Sequence, residues 1–184
     1  MGVRGVVQMA GSMVTRGAHV LGGLLLVAMW PVAAPAEPAD WWPGTAERIA
    51  IRTQIEALAV EYYYRIDHGD AEGAAELFTP DGRFQPGGSK LLVGRDAIRA
   101  YYAARSKTWV TRHITTNLRL TYVDADHVEA VRVFTHYLGD SAAGPGPYPA
   151  SPSVGEYRES LVRGADGQWR YAVRVASAVF SRRP

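Results

Sequence analysis

The sequence predicts an α+β fold, with N-terminal helices packed in a strongly curved antiparallel sheet. Three observations carry that expectation. Apolar residues recur at helical spacing early in the chain, at Ile51, Ile55, Leu58, Tyr62 and Ile66. From Arg112 onward the period changes to two. The period-two segments are joined mostly by short turn signals, so they should pair antiparallel. Such a sheet covers one face with the helices, and a curled one leaves a hollow suited to a ligand.

Thr45 is the expected N-cap of the first helix, which "HGD" at 68–70 ends. Asp70 then caps a second, short helix, "AEGAAELF", closed by the turn signal "TPDG". "RFQ" reads as a short strand, followed by a turn at Pro86 to Ser89. "GRDAIRAYYAAR" reads as a third helix with Ile98, Tyr101 and Tyr102 facing inward. In "HITTNLRLTYV", Ile114, Thr116, Leu118, Leu120 and Tyr122 fall on one side. His113, Thr115, Asn117, Arg119 and Thr121 fall on the other. "DADH" turns the chain into "HVEAVRVFTHYL", where Val128, Ala130, Arg132, Phe134 and His136 share a face. After the Gly/Pro/Ser-rich loop "GDSAAGPGPYPASPS" come two more strands, "VGEYRESLVR" and "QWRYAVRVASAVF", joined by "GADG".

Residues 1–36 are read as a signal peptide. Arg16 supplies a basic start, Val20 to Ala34 an apolar run, and Ala34-Pro35-Ala36 the small residues of a cleavage site. Residues 37–44 form a linker, and 45–184 one domain. Export to the periplasm or outside follows. A start codon placed too far upstream is the alternative, with Met13 or Met29 as the true start, and a start at Met29 would remove the signal and leave the protein cytoplasmic. The apolar run is too short and glycine-interrupted for a stable membrane span. The pI of about 9.0 is misleading. Two of the 20 basic residues, Arg4 and Arg16, precede Glu37, and none of the 18 acidic ones does, so the rest of the chain is formally neutral. No basic patch argues for a nucleic-acid partner. With no cysteine, disulfides, thiolate metal sites and a cysteine nucleophile are excluded. No H-x-x-x-H or H-E-x-x-H spacing points to a metal, and no G-x-S-x-G elbow to a serine hydrolase.

The stretch "YYYRIDHGD" puts Asp67 in the last turn of the first helix, where the macrodipole disfavours a carboxylate. On the helix it lies near Tyr63 and Tyr64, beside the apolar stripe. A carboxylate looking into a half-apolar hollow needs a partner or its pKa rises. His113 and His136 are the foremost candidates. Asn117 lies four residues along the same strand face as His113, within reach of the same cavity. For Arg132 and Arg174 the default is a salt bridge to Glu129, Glu156 or Glu159, with an acidic substrate as the alternative.

Together with "ELFTPDGRF", "VGRDAIRAYY", "RHITTN" and "GEYRESLVR…QWRY", that stretch resembles the SnoaL-like branch of the NTF2-like superfamily, close in layout to scytalone dehydratase. The resemblance implies a cone of helices and curved sheet. It implies catalytic roles for Asp67 and His113, with Asp67 fixing the His113 tautomer and His113 acting as acid–base. It assigns substrate binding to Tyr62 or Tyr63 and to His136, with Asn117 beside them. No cofactor or metal is implied. The expected substrate is a hydrophobic, cyclic, oxygenated small molecule, turned over by a lyase or isomerase of dehydratase type. The alternative is a non-catalytic pocket protein binding an apolar ligand in the cell envelope. The resemblance also implies a homodimer or homotrimer.

Overall fold

A computed structural model describes residues 43–140 and 152–180. The segment 1–36 read as a signal peptide, most of the expected linker and most of the Gly/Pro/Ser-rich loop lie outside the described residues. Helix α1 (Thr45–Asp67) begins one residue later than its cap, which is Gly44 and not Thr45. It buries Ile51, Ile55, Ala59, Tyr62, Tyr63 and Ile66, the expected stripe with Ala59 and Tyr63 added and Leu58 only partly buried at its edge. Its end is set by Gly69, at φ +78°. The Asp70 amide there reaches back to the Arg65 carbonyl at 2.9 Å, the hydrogen bond of a Schellman cap. Asp70 caps α2 (Ala71–Glu76), its Oδ1 accepting from the Gly73 amide at 2.8 Å. Helix α3 (Arg95–Ala103) is anchored by buried Ile98.

The strands are β1 (Phe78–Gln85), β2 (Leu92–Val93), β3 (Trp109–Asp124), β4 (His127–Asp140), β5 (Ser153–Arg163) and β6 (Trp169–Phe180). They form one six-stranded sheet in the order β2-β1-β6-β5-β4-β3. β3 to β6 are the antiparallel meander expected from the short turns. The sheet as a whole is mixed, because β1 pairs with β6 in parallel. The reason is connectivity: β1 and β6 are separated by α3 and four strands, so no hairpin dictates their direction. "TPDG" is not a turn either. It lies inside β1, where the register against β6 shifts between Phe78 and Arg83.

Two irregularities decide which side chains face the helices. In β3 the register against β4 shifts between Thr116 and Arg119, and Asn117 sits at φ 54°. A non-glycine residue there is uncommon, and Asn tolerates it better than most. Thr111, His113 and Thr115 therefore turn inward, and after the bulge Leu118, Leu120 and Tyr122 take over that side. In β6, Leu161 pairs with Tyr171 but Ser160 with Val173. The extra residue brings Arg174 inward, where simple alternation from Tyr171 would point it out.

Arg174 is fully buried, with its guanidinium carbon 4.0 Å from the Tyr157 ring centre and 4.1, 4.7 and 5.0 Å from those of Tyr62, Tyr171 and Tyr63. It donates to the Tyr63 hydroxyl. Glu159 joins it to a second buried guanidinium: Arg132 Nε donates to Glu159 Oε2 at 2.9 Å, and Arg174 Nη1 lies 3.4 Å from Oε1. That second contact is within ion-pair range but is not aligned as a hydrogen bond. Of the three acids expected to pair these arginines, Glu159 does so. Burial opposes charge on Arg174, but the tyrosine oxygens and Glu159 outweigh it and hold its pKa above the usual range. Four π faces and one carboxylate thus offset two cations in the core.

Removing one partner of a buried ion cluster leaves uncompensated charge. Glu159→Gln should therefore destabilise the fold by about 3–5 kcal/mol, read from urea unfolding. An effect below about 1 kcal/mol would show that the tyrosine rings alone carry the arginines.

Candidate functional site

Asp67 sits where its helix makes a carboxylate unwelcome, and β3 takes it over. Thr111 Oγ1 donates to Asp67 Oδ1 at 2.7 Å. The His113 amide donates to Oδ2 at 2.9 Å. His113 Nδ1 lies 2.7 Å from Oδ1. An ionised carboxylate only accepts, so Nδ1 carries the hydrogen, and the neutral form of the ring has its lone pair on Nε2. Only 6% of the Asp67 side chain and 8% of the His113 side chain are exposed, which excludes a solvated helix-end ion pair. Burial alone would push the Asp67 carboxyl up. The hydrogen bond and charge of the His113 ring, the Thr111 hydroxyl and the His113 amide outweigh it and hold it below the usual carboxylate range.

His113 faces His136 directly across the β3–β4 ladder, with ring centres 4.5 Å apart and planes 20° from parallel. The Tyr63 ring also lies against His113, at 5.3 Å and 25°. Burial, then the neighbouring charges of His113 and Arg105, lower the His136 pKa to about 4, against a smaller upward pull from Asp67. His136 is therefore neutral at pH 7.

Both histidines line a cavity of about 600 Å³. Its walls are mostly apolar, with Phe84, Trp109, Phe134 and Leu138 among them, and Tyr101, Tyr102 and Tyr157 supply hydroxyls. Asp67 is not on that wall. It stands behind His113 and borders a second, smaller cleft with Arg105 and Lys107.

Asp67, His113 and His136 thus come together, and three other residues do not join them as expected. Tyr62 and Tyr63 are buried behind the chamber, 0% and 6% exposed. The Tyr63 hydroxyl is occupied by Arg174, and that of Tyr62 by Tyr102. Tyr102, from α3, is the ring of that pair which reaches the cavity. Asn117 does not share the His113 face. The bulge turns it outward into a groove between α1 and β3, beside Arg52 and Glu56.

Thr111 and Arg105 were not legible as site residues. Arg105 Nη2 donates to Thr111 Oγ1 at 3.1 Å and Nη1 to the Ile66 carbonyl at 3.1 Å, so a relay runs from Arg105 through Thr111 to Asp67. Thr111 had a signal, being two positions from His113 on the same strand face. Arg105 had none, because it lies beyond the last turn of α3.

Helices cradled in a curled sheet, with a polar pair inside an apolar hollow, define a cone-shaped pocket protein. The chain belongs to the SnoaL-like domain family, whose model matches residues 47–175, and so to the SnoaL-like branch of the NTF2-like fold. It is similar to a variant of Rv3472, a function-unknown protein from Mycobacterium tuberculosis. The two are 34% identical, with a TM-score of 0.62 over 73% of this chain and 76% of that one. A candidate scytalone dehydratase from Novosphingobium aromaticivorans shares the fold at 20% identity, with a TM-score of 0.64 over 76% of this chain and 94% of that one. A ketosteroid isomerase-like protein from Erwinia carotovora atroseptica does so at 20% identity, with a TM-score of 0.58 over 70% and 96%. A search of curated proteins finds no match.

The two shifted groups give separate expectations. A carboxyl held low in the fold stabilises it above the unfolded value of about 3.9, and that contribution is lost as pH falls through the folded value. Asp67→Asn should lower stability at pH 7 by about 1–3 kcal/mol and flatten the acid limb of a stability–pH curve. For His136 the fold binds fewer protons than the unfolded chain between about 6.5 and 4. Its contribution is complete above that window and declines through it as pH falls. The His136 ring should titrate near 4 by NMR; a midpoint at 6 or above would contradict its buried, stacked setting.

Proposed function

We propose that this protein is a cofactor-independent lyase or isomerase of dehydratase type, acting on a hydrophobic cyclic oxygenated small molecule through His113 and Asp67. The observation that carries the reading is the 2.7 Å contact between Asp67 and the Nδ1 of a histidine that lines an apolar chamber. Asp67 fixes the tautomer, and Nε2 is the base. In the reaction, His113 Nε2 takes a proton from carbon next to a carbonyl. The imidazolium is stabilised by Asp67, as the low carboxyl pKa requires. The same proton then goes to a leaving hydroxide on the β-carbon, releasing water, or returns to a different carbon, completing an isomerisation.

The developing enolate oxygen needs a hydrogen-bond donor. Tyr102 is better situated for this than Tyr62 or Tyr63, since it is on the chamber wall with the Tyr62 hydroxyl against its own. Burial raises the pKa of both, so each stays a neutral donor at pH 7. His136, neutral and beside His113, offers a further hydrogen bond to substrate.

The test uses a cyclic β-hydroxyketone of two fused rings in deuterated water. Wild-type protein should accelerate loss of water and incorporate deuterium at the α-carbon of recovered reactant. His113→Ala and Asp67→Asn should each reduce the rate by about 10²–10⁴-fold. No turnover across a panel of such ketones, or variants within a few-fold of wild type, would replace catalysis with ligand binding.

A further inference from the structure

The chamber is electrically lopsided. Among the described residues its lining holds no aspartate or glutamate and one permanent cation, Arg105. The two histidines add no fixed negative charge. Asp67 is negative but lies behind His113, with its oxygens already engaged by Thr111 and His113.

Among the described residues Arg105 also makes no ion pair with a carboxylate. Its two observed hydrogen bonds go to neutral oxygens, the Ile66 carbonyl and the Thr111 hydroxyl. Among the described residues most other arginines with a hydrogen bond meet a carboxylate, as Arg65, Arg95, Arg99, Arg132, Arg163 and Arg170 do, while Arg112, outside the chamber, is held like Arg105 by neutral oxygens. A guanidinium has five N–H donors in a planar fork, and a carboxylate is the group that matches it. Arg105 is half-buried, so water screens it less than a surface arginine. The neutral hydrogen bonds fix its position while leaving its charge unspent, as an anchor for a charged ligand requires.

We infer that the substrate carries a carboxylate, which Arg105 binds at the chamber wall while the apolar rings of the molecule fill the remaining space. This rests on the proposed function in taking the chamber as the substrate site. It adds the class: a carboxylic acid on a two- or three-ring skeleton. The position of the acid is bounded too. Arg105, Thr111, Asp67 and His113 are linked by successive contacts of 3.1, 2.7 and 2.7 Å. The guanidinium therefore lies no more than about 9 Å from His113 Nδ1, a span that one two- or three-ring skeleton bridges. A neutral substrate would leave the cation with no carboxylate in direct contact, its nearest counter-charge being Asp67 on the far side of Thr111.

The experiment is calorimetric titration of the purified protein with 2-naphthoate and, separately, with 2-naphthamide, which has the same shape without the charge. Wild-type protein should bind naphthoate at least about tenfold more tightly, and salt should weaken naphthoate binding alone. Arg105→Met should bring the two affinities within about twofold by loss of naphthoate, and Arg105→Lys should keep part of the preference. His113→Ala should retain the preference, which separates this claim from the catalytic one. Equal affinities in the wild type, no binding of either probe, or a preference that survives in Arg105→Met would overturn it.

Discussion

A carboxylate at the negative end of a helix is the constraint around which the rest is arranged. The macrodipole opposes Asp67 by about 1 kcal/mol at most. Each hydrogen bond to a charged group contributes about 1.5–3 kcal/mol in return, and Asp67 accepts three. All three come from β3, two of them from one residue. The interaction therefore does more than satisfy an acid. It pins the last turn of α1 to a particular register of β3, and it sets the rotation and tautomer of His113. Arg105 reinforces the same junction from just beyond α3, bonding a carbonyl of that last turn and the threonine beside it.

The consequence is a division of labour between two polar clusters. One, around Arg174, Glu159 and Arg132, is closed in by tyrosine rings at the core of the fold. The other, around Asp67 and His113, opens through His113 onto the chamber. Tyr63 touches both, giving its hydroxyl to the first and its ring face to the second. Tyr63 is thereby held behind the wall, where Tyr102 stands in its place. The packing of the core and the chemistry of the chamber are thus coupled through a single aromatic ring.

Much of this was legible in the residues. The stripe of α1, the stop at Gly69, the cap at Asp70 and the inward face of β4 are local patterns, and each is observed. An acid beside an apolar stripe needs a partner, which the residues left open between His113 and His136; the resemblance to the SnoaL-like branch singled out His113, and it is His113 that meets Asp67 at 2.7 Å. Asn117 was misplaced for a definite reason. Alternation holds only while the ladder is unbroken, and one extra residue inverts every later position. An asparagine among β-branched neighbours was the sole hint of the bulge.

Composition and periodicity by themselves determined the helices, the four-strand meander, and the presence of an acid and two histidines able to share a hollow. They could do so because each depends on neighbours a few positions away. The tertiary structure alone decided the parallel seating of β1 on β6, the inward turn of Arg174, the retreat of Tyr62 and Tyr63 behind the wall, and the arrival of Arg105 beside Thr111. Those outcomes depend on register shifts and on contacts across some 40 to 110 residues. No local pattern records which of several chemically suitable partners the folded chain will bring within 3 Å.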